Sequence, residues 1–205
     1  MLSLVMTSLI RADVLVSAGH EGRPASCARF PRHKCNLGAP GEREWTPIVA
    51  DEVTRVLREH GVQVIREPAD FAGRFQVEAA VFIHFDGIKP VCSSGASIGY
   101  HNPSGRQAAR MWRALYGPIF PFRFMRDNFT MGLRDYYGFR QVQASHGALV
   151  LELGEITCPQ QRAWMEPRLL ALGDLIAYDV SRAIGKGEVP FPAKFARDDR
   201  SAVSL

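Results

Sequence analysis

The chain has no run of about 18 apolar residues, so no helix is expected to cross a membrane. Its opening stretch, MLSLVMTSLIRADVLV, is apolar but has no basic start. Arg11 and Asp13 interrupt it, and no small-residue cleavage site precedes Val14, so no conventional export signal is expected. No compact Lys/Arg run is interleaved with aromatics, which speaks against dedicated nucleic-acid binding. Among the four cysteines, Cys27, Cys35, Cys92 and Cys158, there is no CxxC pair. Cys27 and Cys35 flank His33 in one loop, where a disulfide or a metal clip is open, but scattered free thiols are the simpler reading. Internal repeats, low-complexity segments and a linker to a second domain are also missing. Residues 1–185 are therefore expected to form one domain, and 186–205 a loose polar tail.

What is present suits one soluble core. The chain has 205 residues, of which 46% are hydrophobic and 22% charged, ordinary for a globular domain of this length. The formal charge of +4 favours an anionic partner without naming one.

The pattern alternates strands and helices. Val14–Val16 read as a buried strand. Residues 46–61 read as a helix, with Thr46 as cap, Pro47 in the first turn, and Val49, Val53, Val56 and Leu57 on one apolar face. His60 fits the helix C-terminus electrostatically and needs no catalytic role. A strand follows at 62–67, a short helix is expected within 71–80, and AVFIHF at 80–85 has the two-sided apolarity of an interior parallel strand. Further strands are expected at 96–100 and 147–154. Helices are expected at 103–117 and 160–184, the latter broken near Pro167. Residues 118–146, rich in aromatics and arginines, are expected to be irregular and to line a cleft. Strand, helix, strand in this order imply right-handed crossovers and parallel pairing.

Four polar residues stand where polarity is costly. His20 ends the first strand, Glu44 precedes the helix expected at 46–61, His84 sits in VFIHF, and Glu152 sits in LVLELG. Two imidazoles and a carboxylate form a catalytic zinc set with a position left for water. A separate carboxylate beside it can act as general base and then acid. His20, Glu44 and His84 would be the ligands and Glu152 the base. The rivals are Glu42, two residues before Glu44; Glu155, which strand alternation turns to the opposite face; and Glu21, beside His20. His33, His101 and His146 are read as bystanders. The compact HExxH motif is absent.

In order and spacing these residues resemble the zinc-dependent N-acetylmuramoyl-L-alanine amidases of the Amidase_3 type, found in bacterial cell-wall enzymes and phage endolysins. The resemblance runs from about residue 13 to 184. It rests on Gly19-His20 with Gly22, GAPGERE opening a helix, Arg66 and Asp70 before the third strand, Ile83-His84, GASIGY and VLELG. It implies a three-layer α/β/α domain around a mostly parallel mixed sheet. It also implies Zn2+ held by His20, Glu44 and His84, with Glu44 favoured over Glu42, and Glu152 as catalytic residue. The implied reaction is hydrolysis of the amide joining N-acetylmuramic acid to L-alanine in peptidoglycan, in the periplasm or wall. A phage lysin stored in the cytoplasm before release fits the missing export signal, as does a leaderless housekeeping enzyme. GHEG in place of GHGG sets a charge, Glu21, beside a ligand, and HFD sets Asp86 at the substrate rim. Arg140 is a second candidate substrate contact, with a surface salt bridge as the alternative. Two other readings stay open: a zinc peptidase cutting a stem-peptide bond, and a non-catalytic wall-binding protein of the same fold.

Overall fold

The structure is a computed structural model that describes residues 9–29 and 36–196. Cys35 and His33 lie outside these residues, as does the tail beyond 196. The elements in chain order are β1 (Leu9–Arg11), β2 (Val14–Ala18), α1 (Glu42–Glu59), β3 (Val64–Glu67), β4 (Arg74–Val77), β5 (Ala79–Asp86), β6 (Ser97–Gly99), α2 (Pro103–Tyr116), α3 (Met131–Arg134), α4 (Gly138–Gln141), β7 (Val142–Ala144), β8 (Ala148–Glu155), α5 (Pro159–Met165), α6 (Leu169–Ile184) and α7 (Ala193–Ala196).

The central sheet has the order β3-β2-β5-β8-β6. Its first four strands are parallel, and β6 pairs antiparallel with β8. This is the α/β architecture with a mostly parallel mixed sheet that the sequence leads one to expect. β2 and β5 are buried on both faces, as interior parallel strands must be. One face carries Val14, Val16, Val81, Ile83, Leu149 and Leu151 against the apolar stripes of α1, α2 and α6. The other carries Leu15, Ala80, Phe82 and Val150 against Phe71, Phe75, Phe139 and Val142. A second, three-stranded parallel sheet, β1-β4-β7, covers that face together with short helices.

Several local expectations need correction. Residues 71–80 hold the strand β4 and no helix: Phe75 and Val77 point inward and Arg74 and Gln76 outward, the period of a strand. The helix expected at 46–61 begins at Glu42, after Gly41 in the left-handed region at φ 90°. Pro47 therefore lies inside the helix and forgoes one backbone hydrogen bond. Thr46 is no cap; its hydroxyl donates to the Gly19 carbonyl at 2.7 Å and ties α1 to the end of β2. The segment after 185 is packed over part of its length, since Val189 and Phe195 are buried in the main core. Cys92 and Cys158 are joined by a disulfide, and no cysteine among the described residues is free.

Candidate metal centre and catalytic cleft

Three neighbouring strands bring distant positions to one sheet edge. β2 delivers His20 two residues past its end, β5 delivers His84, and β8 delivers Glu152, whose backbone is in register with His84. All three lie at the C-terminal ends of parallel strands, where ligand sites form in open α/β sheets. They line one cavity of about 500 Å³, which also includes Arg23, Asp70, Tyr136 and Tyr137.

The carboxylate that joins the histidines is Glu42, and Glu44 is not part of the group. His20, Glu42 and His84 each offer a ligand atom, and these atoms lie within 4.8 Å of one another. Glu42 Oε1 is 3.1 Å from His84 Nδ1 and 3.4 Å from His20 Nε2. Backbone N–H groups orient the same carboxylate: Phe85 donates to Oε1 at 3.1 Å and Ala39 to Oε2 at 2.8 Å. Glu44 lies two positions on, about 200° round the helix, and faces solvent. Glu42 continues the stripe Thr46, Val49, Val53 by helical spacing and Glu44 does not, but only once the helix is known to start at Glu42, which Pro47 hides in the sequence.

The site is built tightly. A Cβ on Gly19 would overlap the His84 ring, and one on Gly38 would overlap Glu42 and His20. His20 itself holds φ 61°, a conformation costly for a residue with a Cβ and characteristic of functional positions. Burial lowers the His20 pKa to about 4, so its imidazole is neutral, the ligating form. Burial pushes the Glu42 carboxyl up, but the hydrogen bond with His84 and the two nearby imidazoles outweigh it, and the net shift is downward. Burial, then the charges of Glu42 and Asp86, raise the Glu152 carboxyl well above the usual range. Its Oε2 is shielded and has no hydrogen-bond partner.

The remaining candidates have structural explanations. Glu21 pairs with Arg66 at 2.8 Å, and Arg66 also holds Asp51. Glu155 is buried and accepts from the backbones of Cys92 and Ser94 at 2.7 and 2.8 Å. Asp86 accepts from Gly87 N, and its other oxygen is buried without a partner; it is not among the cavity's lining residues. Burial raises its pKa. Arg140 is exposed on α4, away from that lining. His101 stacks on Phe139 and His146 is exposed. Sequence reasoning missed Arg23, Tyr136 and Tyr137. Tyr136 and Tyr137 lie in the expected cleft-lining segment 118–146, which carries no periodicity to read.

No family model matches the sequence, and no curated protein sequence matches it. Solved structures do match. The catalytic domain of CwlV, an N-acetylmuramoyl-L-alanine amidase from Bacillus (Paenibacillus) polymyxa var. colistinus, superposes with TM-score 0.59 at 15% identity, covering 85% of this chain and 99% of that one. The N-acetylmuramyl-L-alanine amidase Ami1 from Mycobacterium smegmatis gives TM-score 0.63 at 19% identity, covering 86% and 97%. The catalytic domain of the CD27L endolysin, targeting Clostridia difficile, gives 0.57 at 13%, covering 83% and 97%. With identities this low the likeness is one of architecture, and it extends over nearly the whole of each domain: the chain has the fold of the N-acetylmuramoyl-L-alanine amidase catalytic domains.

Proposed function

We propose that the chain is a zinc-dependent N-acetylmuramoyl-L-alanine amidase. The observation that carries this reading is one constellation: the mutually facing donors of His20, Glu42 and His84 beside Glu152, whose Oε2 is buried without a hydrogen-bond partner among the described residues. The fold shared with peptidoglycan amidases supports the same assignment.

The donor set fits a divalent zinc. It offers two nitrogens and one carboxylate oxygen in a cradle that glycines keep open, with space in the cavity for further oxygen ligands. Zinc, when bound, supplies Lewis acidity: it acidifies a water and polarises the scissile carbonyl. The protein supplies the rest. Glu152 is held at the same sheet edge as His84 by strand register, so its reach into the cavity is fixed by the backbone. A carboxylate placed there can take a proton from water and return it to the departing L-alanine amine. Thr130, Gly132, Leu133, Asp135, Tyr136 and Tyr137 form one wall of the cleft, against which a glycan-linked peptide would lie. The Cys92–Cys158 disulfide fits an oxidising compartment such as the periplasm or wall.

The test is an end-group assay on purified peptidoglycan with zinc and with chelator. Zinc-dependent release of L-alanine amino termini without new reducing sugars is the expected result. Amino termini from another residue would make the chain a stem-peptide peptidase. Bound zinc with no new ends on any wall type would leave a wall-binding protein.

A further inference from the structure

The two histidines face Glu42 with different nitrogens. His20 presents Nε2 and His84 presents Nδ1. Each ring's other nitrogen is also engaged. His84 Nε2 lies 3.2 Å from the Tyr136 hydroxyl. His20 Nδ1 lies 3.1 Å from the Asn36 carbonyl and 2.9 Å from Arg23 Nη1.

Between these outer contacts runs a continuous arc. Tyr136 packs on Tyr137 with ring centroids 4.7 Å apart. The Tyr137 hydroxyl accepts the Asp70 backbone N–H at 2.9 Å. Asp70, held at φ 60°, takes Arg23 in a two-point pair at 2.6 and 2.7 Å. Arg23 then donates to Asn36 O at 2.8 Å, beside His20.

We propose that Tyr136 is a positioning residue that holds His84 with Nδ1 free to ligate, as the terminus of an arc of ring packing and hydrogen bonds running through Tyr137, Asp70, Arg23 and the Asn36 carbonyl to His20. This rests on the metal reading above.

The chemistry is direct. A neutral imidazole has one N–H and one lone pair. If Nδ1 gives its lone pair to a cation, Nε2 must carry the proton, and the Tyr136 oxygen is its acceptor. The Tyr136 ring has little freedom to drift, because it packs against Phe82 at 4.9 Å and Phe139 at 5.9 Å. A Cβ at Gly138 would collide with both Phe82 and Tyr136, so the turn after the tyrosine pair is shaped around this contact. Outer partners of this kind fix tautomer and ring orientation.

The experiment compares zinc affinity of the full chain and of Tyr136→Phe by competition with a chromophoric chelator, together with the visible spectrum of the cobalt-loaded proteins. Phenylalanine keeps the aromatic packing and removes only the hydroxyl. The expected result is a loss of affinity of about 10- to 100-fold and an altered cobalt spectrum, with turnover recovering in excess zinc. Tyr137→Phe, one link further out, loses less. Wild-type affinity and an unchanged spectrum in Tyr136→Phe would overturn the proposal, even if turnover fell, since the hydroxyl would then act on substrate. If Tyr136→Phe does not fold, Tyr137→Phe decides: no change in its affinity overturns the arc. A wild-type chain that binds no zinc sinks the metal reading and this proposal with it, an outcome distinct from equal affinities.

Discussion

Glu42 and Glu44 are two residues apart and face opposite ways, and function turns on which one meets the histidines. Glu42→Ala is expected to abolish zinc binding measured by chelator competition, while Glu44→Ala leaves it unchanged, because only Glu42 touches His20 and His84. Glu152→Gln keeps the shape of a side chain whose Oε2 has no hydrogen-bond partner among the described residues. It should lower turnover by about 10²- to 10⁴-fold, the usual contribution of a general base, with zinc affinity retained. Both effects are read in one end-group assay beside one metal titration. At this scale much of the site was legible. His20, His84 and Glu152 stood out because ionisable groups in apolar strands demand an explanation. Glu42 was obscured by Pro47, which looked like a helix start and is an interior residue.

The elements are held in place by contacts that no local pattern announces. The Cys92–Cys158 disulfide joins the segment before β6 to the residue that precedes α5, across 66 positions. The buried Glu155 carboxylate at the end of β8 ties down the same segment through Cys92 and Ser94. Replacing both cysteines by serine is expected to cost about 2–4 kcal/mol, read as a lower midpoint in denaturant with a steeper slope, because the unfolded chain loses its cross-link. The long amphipathic helices and apolar strands were readable from periodicity. The strand β4 was not, because its four residues gain stability only by pairing with β1 and β7, far away in sequence. The α6 boundary was readable: Pro167 marks the short 3-10 turn, Glu166–Arg168, that separates α5 from α6.

For the molecule as a whole, charge and pH govern behaviour. Asp179 on α6 lines a small, mostly apolar cavity with Trp112 and Leu149. Burial raises its pKa to about 7, and Arg182 offsets only part of this. The folded state therefore holds the proton more tightly than the unfolded chain. The stabilisation is complete below about pH 4 and is lost as pH rises through 7. Asp179→Asn should gain on the wild type over that window by on the order of a few kcal/mol, so the melting-temperature difference is larger at pH 8 than at pH 5. The net charge of +4 leads to a second expectation: attachment to anionic wall polymers weakens with added salt. Binding indifferent to salt would remove charge from the account.

The sequence by itself determined the α/β class, the apolar strands that end in His20 and His84, and the carboxylate of Glu152, because burial periodicity and the cost of buried charge are local signals. Tertiary structure alone decided that Glu42 completes the donor set, that Cys92 pairs with Cys158, and that Arg23, Asp70, Tyr136 and Tyr137 form the outer wall. Those outcomes depend on helix phase and on which loops the sheet order brings together, and neither is written in any one segment.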